Sequence, residues 1–461
     1  ELVEIQQNRR GVDARLVDRI SREESIVQAD YVIGADGGNS TVAAQAGFEF
    51  DGQMALGAAV NCWLEVDLTR YTAHRPGVLY WMTQPGNNFW VGSGTWICVR
   101  PWTEWVLLFM YDPNQGEPDL SESAVIERAR ATIGDRDLPI KVKSTAKWQI
   151  NHMVARSLRR GRIFLAGDAA HRHPPANGLG TNTSIQDAFN LCWKLTAVIK
   201  GDAGDSLLQS YDEERQPVAR VVVDRAMKSV RDMLPISNAL GFEPGQSEAA
   251  GWANVEELFS NTDEGRSRRA QLSRAVELQN YQFNCHGIEL GQRYRSSAIF
   301  GDGVNAPAPP RDPELYYQAS TAPGASLPHA WVELKRGRER VSTHDLVGRG
   351  RYTLLTGMAD AQWRAVAEGA ARALGIRLDV FSIGGPSSDA QDVEGRWQHI
   401  SEVTDSGCIL VRPDRHVAWR QLDDKDASTD LLISTLQSVL GREATPTEIE
   451  MEDDDVAQSV R

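Results

Sequence analysis

The sequence predicts a multidomain protein of the α/β plus α+β class. Three observations carry that prediction. Two strand–turn–helix units, at 31–46 and 161–201, each set an Asp and glycines between a short apolar run and a helical pattern. The stretch 54–150 between them changes texture: short apolar runs separated by turn residues, dense in tryptophan. Beyond residue 341, strand and helix signals alternate again in a compact pattern of their own. Alternating strands and helices argue for a mostly parallel sheet, and runs of strands for an antiparallel one.

At 461 residues the chain exceeds what a single small core organises. It is 41% apolar and 24% charged, an ordinary globular composition. No run approaches the roughly 18 apolar residues of a membrane helix, so no membrane span is expected. A formal charge of −14 argues against nucleic acid as a partner. Part of that charge lies in Glu448–Asp455, which reads as a solvated tail rather than a docking segment. Five cysteines are scattered with no CxxC, which fits a reducing cytoplasm and not a disulfide framework.

In chain order, Leu2–Gln6 and Val12–Val17 alternate around Asn8–Gly11, a hairpin signal. Tyr31–Ile33 is a further strand, followed by Gly34-Ala35-Asp36-Gly37-Gly38-Asn39-Ser40 and a helix over 41–46. Four strands are expected at 58–66, 78–83, 89–98 and 105–111, with a helix over 121–133 capped by Ser121 or Ser123. Seven tryptophans fall here (Trp63, Trp81, Trp90, Trp96, Trp102, Trp105, Trp148). They suit either the wall of a pocket for a flat apolar ligand or, for most of them, a hydrophobic core.

Arg162–Ala166 is a short buried strand ended by Gly167-Asp168. Pro174 and Pro175 exclude a helix at 171–175. A helix then opens at Gly178-Leu179-Gly180-Thr181-Asn182, with apolar positions Ile185, Ala188, Phe189, Cys192, Leu195 and Val198 at three- and four-residue steps. A second helix runs over 206–231, with a kink or break near Pro217. Helices at 252–259 and 266–281 and loops dense in Pro and Gly make a connecting arm. The last portion reads β-α-β then β-β-α, the element order of a thioredoxin fold. No cysteine follows its first strand near Thr356-Gly357-Met358, so no thiol–disulfide role is expected.

The chemistry centres on residues 161–201. Asp168 at a strand end is a strong acceptor for a sugar hydroxyl, or simply caps its own turn. Unpaired amides at the following helix start attract electron-rich atoms, and glycine at 178 and 180 lets a ligand approach the backbone. GADGGNS alone reads equally well as a polar turn; its weight comes from its pairing with the second unit. His171 and His173 could supply two metal ligands, but nothing nearby completes a set, so no metal is expected. No serine sits in a G-x-S-x-G elbow. The catalytic base and the substrate-contacting residues are not readable.

YVIGADGGNS (31–40) and RIFLAGDAAHRHPPANGLGTN (162–182), continued by SIQDAFNLCWKL, resemble the two downstream FAD motifs of the single-component aromatic hydroxylases, the group that includes p-hydroxybenzoate hydroxylase and phenol hydroxylase. HRPGVLYWMTQPG, VRPWTEWVL, HGIELGQRY and LPHAW extend the resemblance over nearly the whole chain. It implies FAD as cofactor, NAD(P)H as reductant, and O2 and a small phenolic aromatic as substrates. The implied reaction is reduction of FAD, oxygen addition at flavin C4a, and delivery of a hydroxyl ortho to the phenol oxygen. By position, Gly34, Asp36 and Gly37 would lie beside the pyrophosphate. Asp168, after Gly167, would bind the ribose or ribityl chain. Pro174 and Pro175 would line the isoalloxazine. Past Gly178 and Gly180, the amides of Thr181 and Asn182 would hold its pyrimidine edge.

Family members begin with a strand, G-x-G-x-x-G and a helix for the ADP half, which would lie before Glu1. The expectation is therefore an FAD-binding α/β domain truncated at its N-terminus, an antiparallel-sheet substrate domain and a C-terminal thioredoxin-like domain. The expected division is 1–53 and 151–233 for the FAD-binding domain, 54–150 for the sheet domain, 234–340 for the connecting arm, 341–445 for the thioredoxin-like domain and 446–461 for the tail. A homodimer is possible by analogy. Two alternatives stay open: an impaired homologue that binds an aromatic ligand, and an FAD epoxidase or hydroxylase acting on a polyketide-like substrate.

Overall fold

The structure, a computed structural model, describes residues 1–86, 92–304 and 309–442. Trp90, Phe89 and the acidic tail lie outside the described residues. The chain divides into two compact units. One comprises Glu1–Ala188, Arg215–Gln292 and Pro309–Gln318. The other comprises Phe189–Glu214 and the described residues of 293–308 and 319–442.

In the first unit, β1 (Leu2–Gln7), β2 (Val12–Val17) and β3 (Glu24–Ala29) form an antiparallel sheet in that order. The hairpin expected from alternation is present. The third strand was not expected, because its two large apolar residues, Ile26 and Val27, are exposed and mark no buried face. Strand β4 (Val32–Gly34) then leads to helix α1 (Thr41–Gln45). Ser40 caps α1, its hydroxyl accepting from Ala43 N at 2.9 Å.

A large antiparallel sheet follows. Its strands are β5 (Phe50–Glu65), β6 (Leu79–Met82), β7 (Gly94–Arg100), β8 (Glu104–Tyr111) and β9 (Lys141–Ala155). Helix α2 (Glu122–Ile133), capped by Ser121, packs Val125 and Ala129 into the same core. Alternation along β5 buries Val60, Cys62 and Leu64 and turns Trp63 outward. Trp96 and Trp105 are fully buried beside Leu107 and Phe109, so these two are core residues. Trp96 Nε1 donates to Thr132 Oγ1 at 3.0 Å, which makes its burial tolerable. The expected four-stranded sheet is six-stranded. Strand β9 pairs along β5, and its sequence KVKSTAKWQINHMVA is polar enough to hide a strand with one face largely exposed.

After β9 come β10 (Arg159–Arg160), β11 (Ile163–Leu165) and β12 (His171–Arg172). Strand β11 runs parallel to β4, with Leu165 opposite Gly34, whereas β12 adds to the edge of β9 and completes the large sheet. Helix α3 (Gly180–Ile199) starts where the glycines predict. Its apolar stripe does not mark its buried side: Ile185 is 62% and Phe189 54% exposed, while Thr183, Asp187, Asn190 and Lys194 are buried. Helix α4 (Gln209–Leu240) continues through Pro217 and Pro235, so of the kink or break expected near Pro217 the break does not occur. Burial of Ala219, Val222, Val223 and Ala226 just beyond it outweighs the roughly 3 kcal/mol that an interior proline costs. Helices α5 (Glu248–Phe259) and α6 (Asp263–Leu278) follow.

The second unit holds β13 (Trp331–Leu334), β14 (Arg340–Ser342), β15 (Tyr352–Thr356), α7 (Ala361–Leu374), β16 (Leu378–Gly384), β17 (Ala390–Gln391), β18 (Cys408–Val411), β19 (Val417–Gln421) and α8 (Thr429–Val439). The sheet order is β14-β13-β17-β16-β15-β18-β19. Strands β15 and β16 are parallel, and β18 and β19 are antiparallel to their neighbours. Helices α7 and α8 cover a core of Leu354, Trp363, Leu410, Trp419 and Leu436. All five cysteines are free. Among the described residues, no helix is long and apolar enough to cross a membrane.

Candidate functional site

The site is built where β4 and β11 end side by side. Leu165 pairs with Gly34, and Ala166 N donates to Gly34 O at 3.0 Å. The two turns that carry Asp36 and Asp168 therefore leave neighbouring strands at the same end, which is where ligands sit in open α/β sheets.

Gly34 must be bare. A Cβ there would come within 2.8–2.9 Å of Val42 and Leu165. The Asp36 carboxylate accepts the Ser40 hydroxyl and, at 3.1 Å, Val42 N. Burial alone would raise this carboxyl, but those hydrogen bonds outweigh it and hold it below the usual value. Gly37 sits at φ +81°, and a side chain there would meet nothing within 4 Å. The loop thus leaves open, side-chain-free space at Gly37.

The second turn is braced from within. Gly167 N donates to Asp187 Oδ2 at 3.0 Å. The same carboxylate takes His171 Nε2 at 2.8 Å through Oδ2 and Arg215 Nε at 2.8 Å through Oδ1, and all three side chains are fully buried. A carboxylate only accepts, so Nε2 of His171 carries the hydrogen. Burial pushes the Asp187 carboxyl up; His171 and Arg215 more than reverse this and keep it below its usual value. Asp168 is exposed, one residue beyond the braced amide.

Arg172 joins the two turns. Its Nε donates to Asp168 O at 3.1 Å, and its side chain passes within 4 Å of where a Gly38 side chain would be. Burial lowers its guanidinium, opposed by the charges of Asp168 and Asp36.

Downstream, Pro174 is buried and Pro175 exposed. A short 3-10 turn over Ala176–Gly178 brings the chain to α3. A side chain at Gly178 (φ +64°) would again enter open space. Thr183 N closes the first turn on Leu179 O at 2.8 Å, so the amides of Thr181 and Asn182 precede it. His173 Nδ1 donates to Pro174 O at 2.7 Å, with its ring beside Gly180. Burial lowers its pKa.

The structure thus brings Gly34, Asp36 and Gly37 together with Gly167 and Asp168, and it carries Pro174, Pro175, Gly178, Gly180, Thr181 and Asn182 on the segment that follows. Open space beside Gly37 and Gly178, an exposed carboxylate at Asp168 and the helix-start amides of Thr181 and Asn182 fit a ligand that has an anionic part, a polyol and an electron-rich ring edge. Sequence reasoning missed Asp187 and Arg215. They lie 28 residues apart with no spacing signal, and Asp187 sits on a helix whose apolar stripe draws attention to the opposite side. The two-histidine metal pattern resolves otherwise: His171 is engaged by Asp187. Among the described residues, no group of three His, Cys, Asp or Glu side chains could hold a metal ion.

Comparison with known proteins agrees with this geometry. The sequence profile described as an FAD binding domain matches residues 1–226, and that for the aromatic-ring hydroxylase C-terminal region matches 320–443. The chain is 44% identical to 2,4-dichlorophenol 6-monooxygenase of Delftia acidovorans, over 95% of this chain and 75% of that protein. It is 39% identical to phenol 2-monooxygenase of Pseudomonas sp. strain EST1001, over 90% of this chain and 66% of that protein. Among solved structures, the flavin-dependent monooxygenase PieE in complex with FAD and substrate aligns with a TM-score of 0.92 at 44% identity, covering 96% of this chain and 75% of that one. Paired strand-end turns, matching profiles in both regions and these identities place the chain in the family of FAD-dependent aromatic-ring hydroxylases.

Proposed function

We propose that this chain hydroxylates a small phenolic aromatic, using NAD(P)H and O2 with FAD as cofactor. The observation that carries the reading is the adjacency of the Asp36 and Asp168 turns on parallel strand ends, each beside backbone free of side chains. FAD supplies the redox chemistry, taking electrons from the nicotinamide and activating oxygen. The chain's own residues bind and orient it. Gly34, Asp36 and Gly37 flank the pyrophosphate. Asp168, set by the Asp187 brace behind Gly167, takes the ribityl or ribose hydroxyls. Pro174 and Pro175 line the ring, and the amides of Thr181 and Asn182, opened by Gly178 and Gly180, meet its pyrimidine edge.

In the same reading, 1–53 and 151–233 form the FAD-binding domain, 54–150 the substrate sheet, 234–340 the connecting arm and 446–461 a tail. Residues 341–445 are thioredoxin-like, which the order β16-β15-β18-β19 with helices α7 and α8 supports. Five free cysteines suit a cytoplasmic protein, and a homodimer is its assembly in this reading.

The test is to purify the protein, add FAD and remove the excess. Retained flavin absorbance, with NAD(P)H oxidation stimulated by 2,4-dichlorophenol and a catechol product, supports the reading. Bound flavin with oxidation that no phenol stimulates points to another substrate class, and product analysis with a polycyclic phenol then decides. Protein that retains no flavin while phenol quenches its tryptophan fluorescence overturns the reading in favour of a simple aromatic binder.

A further inference from the structure

A second concave site lies wholly within the second unit. It is a cleft of about 490 Å3 between the C-terminal half of α3, the turn before β15 and the loop before β16. That volume is in the range of small-molecule sites, roughly 300–1,000 Å3. In a chain of net charge −14, its lining carries Lys200, Arg349, Arg351, Arg377 and Arg415 against a single acid, Asp202. Arg351 is paired with Asp379 at 3.2 Å, and Arg349 donates to Asp345 O at 3.0 Å. Among the described residues, Lys200, Arg377 and Arg415 have no carboxylate partner.

Two further features characterise the cleft wall. Arg349 (φ +57°) and Arg415 (φ +67°) both hold left-handed backbone, where glycine or asparagine is the inexpensive choice. Both are at turns, and both turns present a guanidinium to the same cleft. The indole N–H of Trp193, on the cleft wall, is buried without a hydrogen-bond partner among the described residues. Buried donors are ordinarily satisfied. Its ring packs edge-on to Tyr352, with centroids 6.0 Å apart.

We propose that this cleft binds a phosphorylated planar ligand of the nucleotide class. Guanidinium forks match phosphate oxygens two at a time. Several cations serve a multiply charged phosphate better than one carboxylate. Trp193 and Tyr352 offer aromatic surface on the cleft wall to a heterocycle.

The experiment is titration of the full chain with ADP, followed by calorimetry and by Trp fluorescence, with FAD present at saturation to keep the flavin site closed to the probe. The expected result is one-to-one binding that weakens with salt. Affinity should fall about tenfold or more in Arg377→Ala and in Lys200→Ala, both surface positions that keep the fold, with circular dichroism as the control. Pyrophosphate should compete, and adenosine should compete only weakly. No saturable ADP binding, or ADP binding left unchanged by both substitutions, overturns the proposal.

Discussion

The backbone amide of Gly167 and the carboxylate of Asp187 are 3.0 Å apart, inside the protein and 20 residues apart in the chain. The bond ties the turn that presents Asp168 to the helix that follows it. Arg215 and His171 complete the arrangement, so the carboxylate that sets the turn is itself fixed by a buried cation and a buried ring.

Removing that carboxylate leaves Arg215 buried without a counter-charge. Breaking a buried pair from one side costs about 3–5 kcal/mol. Asp187→Ala is expected to lose that much stability in urea denaturation; a loss under about 1 kcal/mol would show that the network does not hold the turn. The pH dependence has a fixed sign. The folded carboxyl lies below its unfolded value of 3.8. Its contribution is complete above about pH 4 and is lost as pH falls through the folded value. Asp187→Asn should lack this decline.

Gly34 and Gly37 separate packing from ligand contact. Gly34→Ala drives a methyl into Val42 and Leu165, and overpacking of this kind costs about 1–3 kcal/mol. Gly37→Ala meets open space, so its stability cost is only the left-handed backbone term of about 1–2 kcal/mol. FAD affinity should fall more in Gly37→Ala, because its methyl enters the open space assigned to the pyrophosphate. Flavin titration of both variants decides; equal affinity in Gly37→Ala and wild type would remove Gly37 from the site.

The two strand–turn–helix units were legible because apolar runs, glycines and prolines punctuate the chain there. Strand β3 was not, since Ile26 and Val27 point to solvent. Nor was β9, whose polar residues cover one exposed face. The site's visible half, from Gly34 to Asn182, lies in local motifs. Its hidden half, Asp187 and Arg215, depends on a contact between two helices that only the folded backbone creates. In the same way, the buried side of α3 carries Asn190 and Lys194, which no rule of apolar periodicity selects.

His173 is expected to be neutral at pH 7. Burial lowers its pKa below 6.5, against a smaller opposing effect from the Pro174 carbonyl. In the unfolded chain the ring takes up a proton near pH 6.5; in the folded chain it does so only at lower pH. Its contribution to stability is therefore level above about pH 6.5 and falls as pH drops below it. NMR titration of the ring protons should give a midpoint below that of a free histidine, and a midpoint at or above 6.5 would contradict the burial argument.

Lys194 provides the opposite test, at alkaline pH. It is fully buried, 2.8 Å from Glu214, which also receives both terminal nitrogens of Arg412. The two partners shift in ways that look inconsistent: Glu214 is held far below its usual value, yet Lys194 is itself lowered, to about 8. The conflict resolves if Arg412 is the principal counter-charge of Glu214. Lys194 then pays for burial, its attraction to Glu214 offsetting only part of that cost beside another cation. Between about pH 8 and 10.5 the unfolded chain binds more protons at this lysine than the folded chain does, so stability from this group rises with pH over that window. Lys194→Met keeps the Arg412–Glu214 pair and should lose that rise. Urea denaturation of both proteins at pH 7, 8, 9 and 10 measures the difference, with other titrating groups cancelling between them. Parallel stability curves would mean that Lys194 is not the strained member of the cluster.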